Sequence, residues 1–150
     1  MISDKISDYF EGVAAKYLSA VDAEPNKSNQ HEIGGLVRAG FSKYLGVGLE
    51  DFRYRVRQVY VEDDQEDPII CDGFVTWYDT RRDDPKRSSE YRLYYYDSPV
   101  TEKISGGDFF LIAKLKNEIS NVSPGVEKDY RNNLSGSLLI VIAPAGSSAE

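Results

Sequence analysis

The residues whose types could do chemistry fall in a few places. The only histidine, His31, lies in a polar loop among Asn29, Gln30 and Glu32. Tetrahedral zinc is bound mostly by about four cysteine and histidine ligands. With one histidine and one cysteine, Cys71, such a site is nearly excluded. Counting alone leaves a Ser-His-Asp arrangement open, but no serine sits in a Gly-x-Ser-x-Gly elbow. The nearest match, Gly136-Ser137, opens a strand and lacks the flanking pattern. Gly46-Val47-Gly48 is not followed by the later glycine or lysine that a phosphate-cradling loop requires. Asp72 followed by Asp84-Pro85-Lys86 imitates the carboxylate and lysine set of a metal-dependent nuclease. Pro85 would then sit inside the metal-bearing strand, where its ring and missing N–H disrupt pairing. Short acidic patterns also arise readily in a chain with 25 acidic residues.

The segment from Arg81 to Arg92 says more. Five basic residues (Arg81, Arg82, Lys86, Arg87, Arg92) face three acidic ones (Asp83, Asp84, Glu90), giving +2. The aromatic pair Trp77-Tyr78 precedes it and Tyr91 falls near its end, so a charged loop is expected between anchored strands. Arginine donates two parallel hydrogen bonds to guanine, lysine suits phosphates, and a carboxylate such as Glu90 accepts from cytosine N4. A surface hairpin whose charges keep it soluble explains the same run, and composition leaves both readings open. For the Arg53, Arg55, Arg57 row, the solvent-facing side of a strand is the simpler account.

These residues need a frame. Ile2, Ile6, Phe10, Val13 and Tyr17 recur at helical spacing and predict an opening amphipathic helix weakened at Gly12. Ala15 to Val21 could continue it or begin a strand. Pro25 to Gly35 is polar and loop-like. Phe41, Tyr44 and Leu45 predict a second short helix closed by Gly46 and Gly48. Strand signals then dominate: Phe52 to Val61, Ile69 to Trp77, Tyr91 to Tyr96, Phe109 to Leu115, around Val126 to Leu134, and Leu138 to Ala143. The expected fold class is β-rich α+β, a barrel or near-barrel with two short helices.

The totals set outer limits. One domain is expected over residues 1–144, with 145–150 a linker to an absent domain. No apolar run approaches bilayer-spanning length, and no signal-peptide stretch opens the chain. The lone cysteine fits a reducing cytoplasm. The formal net charge of −7 argues against nucleic acid only if it is spread evenly. It is not: Glu62 to Asp72 holds six acidic residues and no basic one. A basic edge on an acidic body remains compatible with DNA, because screening confines each patch to roughly 8–10 Å.

Three collinear stretches carry a resemblance. Lys16-Tyr17-Leu18-Ser19-Ala20-Val21-Asp22, then His31-Glu32-Ile33-Gly34, resembles the first DNA-contacting arm of the N-terminal effector domain of EcoRII-type restriction endonucleases. Trp77-Tyr78-Asp79-Thr80-Arg81, then Arg87-Ser88-Ser89-Glu90-Tyr91-Arg92 and Asp97-Ser98-Pro99, resembles its second arm. Gly107 to Leu115 resembles the following core strand, so the likeness covers most of residues 14 to 116.

The resemblance implies a B3-like seven-stranded pseudobarrel whose two arms grip the major groove at a CCWGG-type site. It implies an effector domain that does not itself cut, with magnesium needed only by a separate catalytic domain of the same polypeptide. It places Lys16, Ser19, Asp22, Lys27, Asn29 and His31 in the first arm, and Arg81, Lys86, Arg87, Glu90 and Arg92 in the second. Two departures stand out: Glu32 replaces a glutamine, and Tyr94 to Tyr96 replace a more basic stretch. Rival readings are a small-ligand or peptide-binding β-barrel suited by 11 tyrosines, an acidic DNA mimic built on Glu62 to Asp72, and a structural domain of a larger enzyme.

Overall fold

The computed structural model describes residues 8–23, 31–62, 67–116 and 134–145. Its frame follows from alternation. In β3 (Phe52–Tyr60) the side chains of Tyr54, Val56, Gln58 and Tyr60 are buried at every second position. This strand pairs antiparallel with β4 (Ile69–Asp79) and parallel with β7 (Leu134–Ala143). From β4 the sheet runs through β5 (Tyr91–Tyr95) to the two-residue β2 (Glu32–Ile33). From β7 it runs through β6 (Phe109–Leu115) to β1 (Phe10–Tyr17). The strand order is β1-β6-β7-β3-β4-β5-β2, one curled seven-stranded sheet.

Side-chain bonds bridge the two outermost strands of the curl. Lys16 on β1 donates through Nζ to the carbonyl of Gly34, just past β2, at 2.6 Å. Asp22, on the short helix α1 (Ala20–Ala23), accepts the Gly34 N–H at 2.9 Å. Strands first and last in one sheet meet only when the sheet wraps around its own interior. That interior holds Val56, Val75, Trp77, Leu93, Phe110, Ile112 and Leu138, none with measurable exposure. Burying one such large side chain contributes roughly 1.5–3 kcal/mol.

Trp77 needs a partner for its indole N–H, and the Gly46 carbonyl accepts it at 2.9 Å. Gly46 ends α2 (Ser42–Leu45) with φ 117°, and an added Cβ would come within 2.8 Å of the Phe52 ring. No other residue fits there, so the expected glycine stop after the second helix is also what lets α2 lie against the core.

The predicted opening helix is overturned within the described residues. Residues 10–17 form an antiparallel ladder with β6 from Phe10↔Leu115 to Tyr17↔Phe109. A helical stripe would have buried Val13 and Tyr17, yet they are 47% and 73% exposed, and Ala14 faces the core. The apolar spacing of three and four was coincidental with a period of two, since Gly12, Ala14 and Lys16 form the inward row. Gly12 faces the ring of Tyr44 so closely that any Cβ would collide, and the register shifts beside it.

The arginine row also departs from expectation. Arg53 is exposed, but Arg55 is buried at 3%. It lies between Phe74 on β4 and Ser137 on β7 in the ladder. Arg57 is tied to Asp72 by two bonds of 2.8 and 3.1 Å. That side of β3 is therefore not a uniformly solvated face. The strand expected around Val126 to Leu134 falls outside the described residues except for Leu134, which begins β7. Among the described residues no helix is long and apolar enough to cross a membrane.

Candidate functional site

The loop from Thr80 to Glu90 has a closed neck. Asp79, the last residue of β4, is buried, and its Oδ1 accepts the N–H of Arg81 at 3.0 Å and of Glu90 at 2.8 Å. Thr80 adds its N–H and its hydroxyl to the Glu90 carbonyl, at 2.8 and 2.9 Å. Inside the loop successive turns follow, Arg82 N–H to Asp79, Asp84 N–H to Arg81, and Arg87 N–H to Asp84. Asp84 also accepts the Lys86 N–H at 3.1 Å. The tip therefore presents Lys86 and Arg87 to solvent from a folded stalk rather than from a slack loop.

At the root of the stalk, Glu90 is clasped by two guanidiniums. Arg92 Nη2 lies 2.6 Å from one carboxylate oxygen and Arg81 Nη2 lies 2.8 Å from the other. The Arg92 hydrogen bond, with the charges of Arg92, Arg81 and Arg87, holds the Glu90 carboxyl below its usual range against a smaller opposing effect of burial. Two cations around one anion leave a local +1. Glu90 immediately precedes β5, and its bond to Arg92 on that strand sets the two side chains beside each other.

The first arm is built differently. Ser19 and Asp22 cap the start of α1 reciprocally. The Ser19 hydroxyl accepts the Asp22 N–H at 3.1 Å, and the Asp22 carboxylate accepts the Ser19 N–H at 3.0 Å. The same carboxylate takes the Lys16 ammonium at 2.7 Å and the Gly34 N–H. Burial pushes the Asp22 carboxyl up, but the Lys16 bond and the two N–H groups outweigh it and hold it below its ordinary value. From inside the curled sheet the Tyr95 hydroxyl donates to the Asp22 carbonyl at 2.8 Å. Burial, and the nearby Asp22 and Asp97 charges, push that phenol up to about 12.

The two arms meet across β2 and β5. Gly34 faces Arg92, whose Cζ would lie 4.0 Å from a Cβ placed there. Glu32 is buried, hydrogen-bonded to the Tyr78 hydroxyl, and close enough to Arg92 and Glu90 to feel both charges. Burial raises its carboxyl, Glu90 adds to that, and Arg92 opposes it. Bonds thus link Lys16, Asp22 and Gly34 on one side and Arg92, Glu90 and Arg81 on the other, with Gly34 and Arg92 facing each other between them.

The structure brings together most of the residues singled out from sequence, in different capacities. Ser19, Lys86 and Arg87 are exposed, while Arg81, Glu90 and Arg92 are half-buried at the root of the second arm. Lys16 and Asp22 are spent on internal bonds and act as positioning residues. His31 sits apart, beside Tyr94 and Tyr95, with Nε2 3.0 Å from Asp97 and 31% of its side chain exposed. Lys27 and Asn29 lie outside the described residues.

Asp79, Gly34 and Tyr78 lie within the stretches that carry the resemblance but were not singled out as site residues. An aspartate closing a strand ahead of Thr-Arg-Arg-Asp-Asp-Pro is a turn signal, but its partner eleven residues on, Glu90, has no local signature. The nuclease-like carboxylates do not share a site. Asp72 is bound to Arg57 seven residues before the end of β4, ~23 Å of strand, and Asp84 lies beyond that end.

Compared with protein-family models and with curated proteins, the chain matches none.

Proposed function

We propose that this domain binds double-stranded DNA in a sequence-specific way, reading a CCWGG-type site in the major groove with its two arms. The observation that carries the reading is that the Lys16–Asp22–Gly34 bonds and the Arg92–Glu90–Arg81 clasp, from loops distant in sequence, stand side by side where Gly34 faces Arg92. On that surface Arg81 and Arg92 supply the donors that match guanine O6 and N7, and Glu90 supplies an acceptor for cytosine N4. Lys86, Arg87 and Ser19 stand where phosphates of the same groove would pass. The seven-stranded curled sheet supports a B3-like pseudobarrel, and the resemblance to EcoRII-type effector domains supports a place beside a separate catalytic domain.

A carboxylate at a DNA surface costs affinity unless a base donor meets it. Here two arginines hold Glu90 ready in its charged form, so the acceptor is set before DNA arrives. Specificity would then come from the root of the second arm and affinity from its tip.

Fluorescence anisotropy with labelled duplexes tests this. A CCWGG duplex should bind at least about tenfold tighter than a scrambled one, the value of a single good base contact. Equal affinities, or no binding at low salt, would overturn the proposal.

A further inference from the structure

A sheet with one side in water alternates apolar and polar residues, whereas strands apolar on both sides are those covered on both. β6 and β7 are of the second kind, for the residues turned away from their packed side are apolar too. The ladder registers carry that outward surface onto the neighbouring strands. Ala15, Leu111, Val141, Val59 and Ile70 form one unbroken apolar row across β1, β6, β7, β3 and β4. Tyr17, Phe109 and Ala143 flank the row on one side, and Val13, Ala113 and Leu139 on the other. Tyr17 is 73% exposed, Ile70 57% and Val13 47%, while Phe109, Leu111, Val141 and Val59 are half-buried. Five strands and three rows cover about 24 Å by about 20 Å, roughly 480 Å². Apolar patches of roughly 300–600 Å² are often interaction sites.

Charge decides what can sit there. Among the described residues on these rows the charged side chains are Arg57 and Asp72, which neutralise each other through bonds of 2.8 and 3.1 Å. The face is therefore neutral on a chain of net charge −7. A nucleic acid or an acidic partner would need unmatched cations here, and a basic partner unmatched anions. An anionic membrane is drawn to basic clusters and would be repelled by the acidic remainder of the chain. Two copies repel each other through their acidic surfaces but can meet where neither carries charge.

We propose that two copies of this chain associate through this face, sheet against sheet about 10 Å apart and related by a two-fold axis. Each copy contributes less than the roughly 800 Å² per partner of a stable complex, so the dimer is weak and reversible. Face-to-face pairing closes at two copies, unlike the open-ended addition of strands at an edge. The inference is independent of the DNA-binding reading, since none of these residues is a candidate DNA contact.

Sedimentation equilibrium of the full chain over a concentration series tests it. The mass should rise from one chain toward two and level there, and added salt should strengthen the association by screening like net charges. Ile70→Asp, at an exposed position, should weaken dimerisation at least about tenfold, because it sets a short carboxylate against an apolar surface. Val141→Thr keeps the shape of the central side chain, adds a hydroxyl, and should weaken dimerisation severalfold. Val47→Asp, which replaces an equally apolar residue 72% exposed outside these rows, should leave it unchanged. Circular dichroism checks that each variant is folded. A one-chain mass at every concentration, a mass climbing past two chains, indifference to both Ile70→Asp and Val141→Thr, or an equal loss in Val47→Asp would overturn the inference. So would a monomeric chain that sediments with neutral phosphatidylcholine vesicles, which would give the face to lipid.

Discussion

Glu90 shows why a charge of the disfavoured sign can be a specificity element. Its two arginine partners hold it ionised and aimed, so removing it releases Arg81 and Arg92 as unopposed cations. Glu90→Ala should therefore cost roughly 1–3 kcal/mol on a cognate duplex and leave random duplex unchanged or slightly tighter. Paired anisotropy titrations at one salt concentration check this; an equal change on both duplexes would make Glu90 a bystander. Glu32, a few ångströms into the protein, behaves in the opposite sense. Its raised carboxyl means that folding favours the neutral form. The stability it contributes is full below its unfolded value, about 4.3, and is lost as pH rises through the higher folded value. Glu32→Gln keeps a group able to bond Tyr78 but removes the titration. Urea melts should show the variant gaining on the parent between pH 4 and pH 7, whereas a constant gap would mean that burial does not disfavour the charge.

The second arm is an element whose shape depends on a residue that need not touch a ligand. Asp79 gathers the N–H groups of Arg81 and Glu90, so without it the first and last residues of the arm lose their common anchor. Asp79→Ala should destabilise the fold by about 1–3 kcal/mol and weaken cognate binding at least tenfold. Its companion Asp79→Asn, keeping one acceptor oxygen, should recover part of both. Unchanged affinity in a folded Asp79→Ala would show that the arm shapes itself without the neck.

Elements such as β3 to β6 were legible because their alternation and length agree with burial on one side. The opening segment was not, because Phe10, Val13 and Tyr17 satisfy a helical period although in the strand Val13 and Tyr17 fall on the outward row. Only the pairing with β6 decides, and that partner lies about a hundred residues away. The candidate site was legible in its charged residues and illegible in its supports. Arginines and lysines advertise themselves by type, whereas Asp79, Gly34 and the inward turn of Lys16 acquire meaning only from neighbours remote in sequence. Asp22 was singled out for the first arm, and its 3% exposure shows it bound inward to Lys16 and Gly34 rather than reaching out.

At the scale of the whole molecule, a chain of net charge −7 can still meet a polyanion if its cations are gathered at one rim. Such binding should weaken steeply with salt, log K falling by about 0.9 per log unit of salt for each phosphate neutralised. Lys86→Ala should lower affinity for cognate and random duplex alike and reduce that slope by about one contact. A slope that does not change would remove Lys86 from the phosphates.

The Lys16 clasp carries one more consequence. Among the described residues β1 has a hydrogen-bonded neighbour on one flank only and β2 offers just two paired residues, so each presents an edge to which a foreign strand could add. A lysine turned inward from β1 sets a charge where an incoming strand would need an apolar residue, and its bond to Gly34 fastens the rims to each other instead. The contact that holds the two arms in register is thus also a guard against self-association. Neutralising that one ammonium would expose the protein to polymerising through its own backbone.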